Sequence, residues 1–387
     1  MKRAAIVVLD GVGIGEAPDA VTYGDRGSNT LCNVAKAVGG LKLPNLEKLG
    51  LGNIRTIDGV RAAPDASGAW GLMHPASAGK DSTTGHWEIA GVQLERAFPT
   101  FPKGFPREVL EAFAAGTGRG VIGNVVSSGT AVIEKFAEEQ RRTGAWIVYT
   151  SADSVFQIAA HEKVIPLEEL YRACEMAREM LVPPYDVSRV IARPYDGEPG
   201  SYARTSNRRD YSIQPPEETL LDTLEAAGIP RAGVGKVDDL FAGRGMKARH
   251  TASNAEGIRL IRDWMGGSES GFLFANLVDF DQLFGHRNDV AGFNRALVEF
   301  DDALPSLLSA LKEEDLLFIT ADHGNDPTTP STDHARENVP LLVAGPRVRP
   351  GSLGERATFA DLGATVGDWL GVAYRGKGES FLAAAVR

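Results

Sequence analysis

Three hydrophobic segments of strand length each end in an acidic turn that contains glycine, and this pattern limits the folds open to the chain. The segments are residues 4–9, 272–278 and 315–320. The turns after them carry Asp10, Asp281, His286, Asp322 and His323. Short apolar runs bounded by glycine predict buried strands, and open α/β sheets collect their functional groups at the carboxyl ends of strands. We therefore expect these side chains to form one constellation at a sheet edge.

Carboxylates and imidazoles in glycine-rich turns suit a divalent metal ion. For one Asp-His pair alone, a hydrogen-bonded turn without metal is the more common alternative, since polar turn residues are frequent. The chain has seven histidines, however, and three of them, His286, His323 and His334, occur in these acid-rich turns. The six candidate ligands are Asp10, Asp281, His286, Asp322, His323 and His334. Six groups are enough for two ions that clamp the attacking and leaving oxygens of a phosphoryl transfer. Without thiolates, the set favours Mn²⁺ or Zn²⁺ over Ca²⁺.

Residues 77–91 contain three consecutive hydroxyl side chains, Ser82, Thr83 and Thr84, between a Lys-Asp pair and a Gly-His pair. One interpretation is a helix N-cap, because hydroxyl residues are preferred there. The other is a nucleophile held at a helix N-terminus, where anions are also favoured. The two interpretations are compatible. A hydroxyl needs a base or a metal to become a good nucleophile, and the acid-histidine turns supply candidates for both.

The order of predicted elements indicates two domains. Strands that alternate with helices predict a mostly parallel sheet covered by helices on both faces. A proline-rich stretch begins at Phe98, and a Gly-, Pro-, Ser- and Arg-rich stretch, residues 196–216, reads as a return linker. We therefore expect an α/β core of residues 1–97 and 212–387, with an inserted α+β cap domain at 98–211.

The composition limits the classes of binding partner and the cellular setting that we expect for this chain. A formal charge of −10 argues against nucleic acid and anionic membrane surfaces as partners. The two cysteines, Cys32 and Cys174, form no Cys-x-x-Cys motif, which favours a reducing, cytoplasmic setting. The apolar run at the N-terminus is too short for a signal peptide, and no stretch has the length of a membrane helix. No obligate protein partner is evident.

Four longer strings in the sequence resemble those of the phosphopentomutases, a family of the alkaline phosphatase superfamily. They are Asp-Gly-Val-Gly-Ile-Gly-Glu-Ala-Pro-Asp (10–19), Ser-Ala-Gly-Lys-Asp-Ser-Thr-Thr-Gly-His-Trp-Glu-Ile-Ala-Gly (77–91), Tyr-Thr-Ser-Ala-Asp-Ser-Val-Phe-Gln-Ile-Ala-Ala-His-Glu (149–162) and Thr-Ala-Asp-His-Gly-Asn-Asp-Pro (320–327). The resemblance runs from the first strand to the last helix. It implies an alkaline-phosphatase-like α/β core with an inserted cap. It also implies the interconversion of ribose 1-phosphate, or its 2-deoxy form, with the 5-phosphate, using Mn²⁺.

The resemblance also implies roles for single residues. One Mn²⁺ would take Asp281, His286 and His334, and the other would take Asp10, Asp322, His323 and the nucleophile. The family nucleophile is usually a threonine, and this chain has Ser82 at that position. A sugar bisphosphate such as glucose 1,6-bisphosphate would phosphorylate it. Thr83 and Thr84 remain alternatives.

Four further residues match family positions near the substrate. Ser151, Asp153 and Arg193 match positions that face the site from the cap, and Lys236 matches a core position near the substrate. Arg193 and Lys236 would hold a phosphate, and Asp153 would bind a sugar hydroxyl. For each of them, an exposed residue without a role is the alternative, since charged side chains are mostly solvated.

Two other functions use the same residues. A metal-dependent phosphatase or phosphodiesterase needs the same core but no closing cap, so the inserted domain argues against it. A non-catalytic sugar-phosphate-binding protein has no need of a nucleophile. The sequence therefore favours an intramolecular phosphotransferase that acts on a small sugar phosphate.

Overall fold

The computed structural model describes residues 2–151, 153–268 and 270–387. The chain divides into two compact units. The core unit comprises Met1–Ala97 and Pro215–Arg387, and the inserted unit is Phe98–Gln214.

The first part of the core unit supplies two strands and four helices. In chain order they are β1 (Arg3–Leu9), α1 (Thr30–Val38), α2 (Pro44–Leu49), α3 (Leu51–Ile54), β2 (Ala69–Met73) and α4 (Ser82–Ile89). A 3₁₀ turn, Ala20–Tyr23, lies in the long loop after β1. Asn29 caps α1 through its side-chain oxygen, which accepts from the Cys32 amide, and Pro44 starts α2 with its fixed φ.

Among its described residues, the inserted unit has three helices and six strands. They are α5 (Arg107–Thr117), β3 (Val121–Val126), α6 (Gly129–Thr143), β4 (Trp146–Thr150), β5 (Val155–His161), α7 (Leu167–Met180), β6 (Arg189–Asp196), β7 (Ala203–Arg204) and β8 (Arg209–Ser212). The strands form one sheet in the order β3-β4-β5-β6-β7, and β8 also pairs with β6. Strands β7 and β8 lie within the stretch that we expected to be a linker. The inserted unit consequently ends at Gln214, three residues beyond the expected boundary.

The described residues of the second part of the core unit supply six strands and six helices. They are α8 (Leu220–Ala226), β9 (Arg231–Val234), α9 (Val237–Leu240), β10 (Ala248–Arg249), α10 (Asn254–Gly266), β11 (Gly271–Leu277), α11 (Val290–Ser309), β12 (Asp315–Thr320), β13 (Val339–Ala344), β14 (Gly351–Arg356), α12 (Ala360–Leu370) and α13 (Leu382–Ala385). A π-helical turn, Phe280–Phe284, and a 3₁₀ turn, Gly285–Arg287, connect β11 to α11.

The core sheet has eight strands in the order β10-β9-β11-β1-β12-β13-β2-β14. Only β13 runs antiparallel to its neighbours, so the predicted mostly parallel sheet is confirmed. Helix α10 packs against β9 and β11, and α12 packs against β1. Every residue of β1, β11 and β12 is buried, as the continuous apolar runs of a covered parallel sheet predict.

The strand register brings the three acidic turns together. In the parallel pairing of β1 with β11, Leu9 faces Leu277, and in the pairing of β1 with β12, Val8 faces Thr320. The carboxyl ends of all three strands therefore lie at one level of the sheet. Among the residues that the structure describes, no helix combines the length and apolar character needed to cross a membrane.

Candidate active site

Three neighbouring strands deliver the acidic side chains to one place. Asp10 follows β1 directly, Asp322 comes two residues after β12, and Asp281 lies in the π-helical turn after β11. Gly11 has a φ of +75°, and a Cβ there would lie 3.0 Å from Asn325. Glycine is needed at this position because of both its left-handed conformation and this close approach.

The first cluster consists of Asp281, His286 and His334. The Asp281 carboxylate lies 3.1 Å from His286 Nε2 and 3.3 Å from His334 Nε2. His286 Nδ1 donates to the carbonyl oxygen of Thr332 at 2.7 Å, which directs its Nε2 toward Asp281. The imidazole rings of His286 and His334 are 4.8 Å apart.

The second cluster consists of Asp10, Asp322 and His323. His323 Nε2 lies 3.3 Å from Asp10 Oδ1 and 3.4 Å from Asp322 Oδ2. His323 Nδ1 donates to the carbonyl oxygen of Gly324 at 3.0 Å, which leaves its Nε2 free to bind a cation.

Asp281 also belongs partly to the second cluster, because one ligand atom from each of Asp10, Asp281 and His323 lies within 4.8 Å of the others. The two clusters are therefore adjacent.

Burial and the charges of neighbouring groups determine the pKa values of the side chains in the two clusters. Burial and the neighbouring Asp322 charge raise the pKa of Asp10. Burial opposes ionisation of Asp281 as well, but His334 and His286 hold its pKa well below the usual range. Burial would lower the pKa of His286, yet its hydrogen bond to Asp281 raises this pKa to about 9. The carboxylates therefore need positive charge beside them.

Two atoms of the site show that a cation fits there. Asp10 Oδ1 and His334 Nε2 are buried and have no hydrogen-bond partner among the described residues. An unsatisfied buried acceptor is costly, and both atoms are of a kind that ligates metals. Oxygen and imidazole donors without thiolate suit a divalent ion of the Mn²⁺ or Zn²⁺ type.

Helix α4 places Ser82 against the second cluster. Ser82 Oγ lies 3.0 Å from His323 Nε2. Asp81 caps the helix, since its Oδ1 accepts from the Thr84 amide at 3.1 Å. The Thr84 hydroxyl donates to the same carboxylate at 2.6 Å and is thereby occupied. Of the three hydroxyls, Ser82 is the one that contacts a candidate ligand.

His86 supports both Ser82 and Asp322, a role that we did not predict. Its Nδ1 lies 2.9 Å from the Ser82 carbonyl oxygen and 3.1 Å from Asp322 Oδ2. The side chain is fully buried and packs on Phe274. The spacing of four residues from Ser82 on one helix is the sequence signal that could have indicated this contact.

Glu337 contacts both the loop after β1 and the loop after β12, and this role was also not predicted. Its carboxylate accepts from the Thr30 amide at 2.9 Å and from the Gly15 amide at 3.3 Å. A Cβ on Gly13 or on Gly324 would lie 2.4 Å from this carboxylate. Because these contacts span over 300 residues, no local sequence pattern indicates them.

Asparagines orient two of the carboxylates. Asn276 Nδ2 donates to Asp10 Oδ2 at 2.8 Å, and Asn325 Nδ2 donates to Asp281 Oδ1 at 2.6 Å. Such supporting partners fix the direction of a ligand oxygen.

The remaining predicted residues occupy two places. Lys236 lies just after β9, is exposed, and donates to Gln282 beside Asp281 at 3.2 Å. Ser151, Asp153 and Arg193 belong to the inserted unit. Ser151 and Asp153 are 3.5 Å apart after β4, whereas the Arg193 Nε on β6 donates to Gln157 at 3.1 Å.

The chain is similar to known proteins along nearly its whole length. A model of the metalloenzyme superfamily matches residues 2–374. A phosphopentomutase of Desulfitobacterium hafniense is 58% identical over 385 residues, 99% of each chain. A phosphopentomutase of Dictyoglomus thermophilum is 56% identical over 384 residues, which cover 99% of this chain and 98% of the relative. The solved structure of Leishmania mexicana phosphoglycerate mutase at low cobalt concentration has the same fold. Its TM-score is 0.51 at 13% identity, over 98% of this chain and 97% of that one.

The buried Glu337 yields a pH-dependent prediction. Burial raises its pKa from 4.5 to about 8, and the Thr30 hydrogen bonds offset this only in part. The stability gained from the bound proton is complete below pH 4.5 and is lost as the pH rises to 8. Glu337→Gln does not titrate, so its free energy of unfolding relative to wild type should increase by roughly 3–5 kcal/mol across this window.

Thermal unfolding of both proteins at pH 5 and pH 8 measures this difference. Glu139→Gln, on the exposed face of α6, is the control and should show none. An equal gap between wild type and Glu337→Gln at both pH values would contradict the titration of this carboxyl group.

Proposed function

The chain belongs to the phosphopentomutase family of the metalloenzyme superfamily, and we propose that it moves a phosphoryl group between the 1- and 5-positions of ribose or 2-deoxyribose through Ser82. The chain is an enzyme of the isomerase class. The observation that carries the proposal for Ser82 is its position, with Oγ 3.0 Å from His323 Nε2 at a capped helix N-terminus.

The site takes two divalent ions in this proposal, either Mn²⁺ or another divalent metal. One would be held by Asp281, His286 and His334. The other would be held by Asp10, Asp322 and His323. Two ions bound there would lower the pKa of the attacking hydroxyl and neutralise charge on the transferred phosphate.

Ser82 would be phosphorylated first by a sugar bisphosphate such as glucose 1,6-bisphosphate. A bond forms between Ser82 Oγ and phosphorus, the bond from phosphorus to the sugar oxygen breaks, and that oxygen takes up a proton while the serine hydroxyl loses one. The α4 N-terminus stabilises the phosphoserine because its free amides and its dipole favour anions.

Isomerisation then needs two further transfers. A free hydroxyl of the pentose phosphate attacks the phosphoserine, which gives a pentose bisphosphate and free Ser82. The bisphosphate turns round, Ser82 takes the other phosphoryl group, and the isomeric monophosphate leaves. The intermediate must be held and shielded from water throughout, or its phosphate is lost by hydrolysis.

Substrate recognition falls in this proposal to Ser151, Asp153, Arg193 and Lys236. The positively charged side chains of Arg193 and Lys236 would bind phosphate, and Asp153 would accept a hydrogen bond from a sugar hydroxyl. Ser151 lies within 3.5 Å of Asp153 and would share that hydroxyl contact. We propose a cytoplasmic enzyme that acts on this small molecule without nucleic acid or a membrane.

The metal assignment predicts the behaviour of a double variant, His286→Ala with His334→Ala. Loss of two imidazoles should remove one equivalent of bound Mn²⁺ and lower kcat/KM by at least about 1,000-fold, since each ion stabilises the transition state by several kcal/mol. Mass spectrometry measures the metal content, an isomerisation assay measures kcat/KM, and circular dichroism checks that the variant is folded. His74→Ala changes a histidine outside the candidate metal groups of the described residues and should keep both metal and activity. Two equivalents of metal in the double variant would refute the assignment.

The nucleophile assignment predicts opposite results for two substitutions. Ser82→Ala should take no phosphate from glucose 1,6-bisphosphate, whereas Ser82→Thr keeps the hydroxyl and should retain activity within about 10-fold. Mapping of the phosphopeptide by mass spectrometry identifies the modified residue. Phosphate on Thr83 or Thr84 in an active Ser82→Ala protein would show that the nucleophile is a different hydroxyl.

The role of Asp153 predicts a change in product ratio. Asp153→Ala should lower the rate of isomerisation and raise the fraction of substrate that ends as free phosphate, because a poorly held bisphosphate escapes or reacts with water. Phosphate release measured beside pentose isomerisation gives the ratio. Glu139→Ala serves as a control on the same unit. An unchanged ratio in Asp153→Ala would exclude this role.

A further inference from the structure

The segment that leads into Ser82 has no regular secondary structure. Residues 74–81 connect β2 to α4, and Ser77 and Gly79 within them are buried. A buried segment outside helices and sheets needs other partners for its backbone amides and carbonyls. Two buried charged side chains, Glu88 and Arg336, supply these partners.

Glu88 binds the backbone amides of this segment. It lies in the last turn of α4, and its carboxylate accepts from the Ala76 amide at 2.8 Å and from the Ser77 amide at 2.7 Å. The helix that begins at Ser82 therefore holds the donor side of the segment before it.

Arg336 binds the carbonyl groups of the same segment. Its Nη1 donates to the carbonyl oxygens of Ser77 and Gly79, both at 2.6 Å, and its Nη2 donates to that of Pro75 at 3.0 Å. Its Nε and Nη2 also donate to the Asp19 carboxylate, each at 3.0 Å. A guanidinium has five N–H donors, and these contacts use all of them.

The backbone beside Arg336 is fixed to the loop that carries His323. Ala335 and Gly324 exchange two backbone hydrogen bonds, of 2.7 and 3.0 Å. Arg336 therefore connects the His323 loop, through its own side chain, to the segment that ends at Ser82.

The position of the Ser82 hydroxyl depends on this connection. Its Oγ lies 3.0 Å from His323 Nε2. A serine hydroxyl is less restricted by its own rotamer preferences than a threonine hydroxyl, so the backbone must supply the alignment. A shift of about 1 Å that starts far from the reacting atoms can slow a catalytic step about 100-fold.

We propose that Arg336 is a positioning residue, which sets Ser82 against His323 by holding three carbonyl oxygens of the segment before α4. This inference rests on the proposed function, because it concerns the approach of Ser82 to a phosphoryl group. All five donors of the guanidinium are used within the protein, so none is left for a substrate phosphate. Arg336 consequently acts through the backbone that it holds.

Arg3 offers a matched control at the opposite end of the core sheet, where β1 begins. It is as buried as Arg336, and its guanidinium also binds a carboxylate, that of Asp315. Its further acceptors are three carbonyl oxygens, those of Trp264, Met265 and Gly267. Lysine has three donors and no planar fork, so Arg336→Lys and Arg3→Lys break the same kind of contacts. Both variants should lower the melting temperature.

The rate at which glucose 1,6-bisphosphate phosphorylates Ser82 separates the two variants. It is measured on the full-length, Mn²⁺-loaded proteins by rapid quenching and mass spectrometry. Arg336→Lys should lower this rate at saturating bisphosphate about 30-fold, because Ser82 is displaced from the second cluster. Its metal content should stay at the wild-type value, and so should its affinity for ribose 5-phosphate, measured by calorimetry in a Ser82→Ala background. Arg3→Lys should keep the wild-type rate per folded molecule.

A milder variant, Asp19→Asn, covers the case in which Arg336→Lys does not fold. The Asp19 side chain is 45% exposed, so its replacement disturbs the core little. An amide offers the guanidinium one oxygen in place of two, and the phosphorylation rate should fall about 3-fold. Asp65→Asn, at an exposed aspartate of the same unit, should leave the rate unchanged.

An equal fall of the rate in Arg336→Lys and Arg3→Lys would overturn the proposal, since the effect would then be one of stability. A wild-type rate in Arg336→Lys would do the same, as would a wild-type rate in Asp19→Asn if Arg336→Lys is unfolded. Loss of metal from Arg336→Lys would show that the arginine supports the ions instead of Ser82.

Failure of the proposed function is recognised in the wild-type protein. If that protein takes up no phosphate from the bisphosphate, the proposed function is wrong, and the alignment of Ser82 falls with it. If the wild-type protein is phosphorylated and Arg336→Lys reacts equally fast, the role of Arg336 alone is wrong.

Discussion

Mutual repulsion of three buried carboxylates is the constraint on which the core depends. Asp10, Asp281 and Asp322 are each less than a tenth exposed and meet at the ends of adjacent strands. Charges so placed are stable only beside positive charge, which the imidazoles supply in part and a divalent ion supplies more fully. The parallel order β11-β1-β12 is what brings the carboxylates together, and the loops beyond it hold them there. The order of the strands in the sheet therefore also determines the geometry of the site.

The part of this arrangement that could be predicted is the part encoded locally. Strands β1, β11 and β12 are buried along their whole length, so each one is a continuous apolar run in the sequence. The residue types after them limit the chemistry, and the rule that parallel strands end at one edge brings them together. For the same reason, the weakly apolar edge strand β14, Gly351–Arg356, and the strands β7 and β8 were not predicted. Their pairing depends on partners rather than on their own composition.

The supporting residues could not be predicted, since their roles arise from tertiary contacts. Glu337 reads in the sequence as an ordinary acidic residue, yet it bonds Thr30 and Gly15 across the whole chain. Asn276 is a polar residue within an apolar strand, and its hydrogen bond to Asp10 Oδ2 exists only in the folded chain. In both cases the informative property is what a buried polar atom contacts. That property belongs to the folded chain and has no counterpart in composition or spacing.

The same distinction bears on the proposal that Ser82 is the nucleophile at a position where the resemblance implies a threonine. Threonine restricts its own hydroxyl through the β-methyl group, whereas serine is freer about χ1. Here the backbone fixes the position instead. A Cβ on Gly85 would lie 2.2 Å from the carbonyl oxygen of Asp322, so α4 packs directly on the loop that carries the second cluster. His86 ties the Ser82 carbonyl to the Asp322 carboxylate from the next turn. With the Cα of Ser82 held against His323 in this way, one rotatable bond remains, and the hydrogen bond to His323 selects its rotamer.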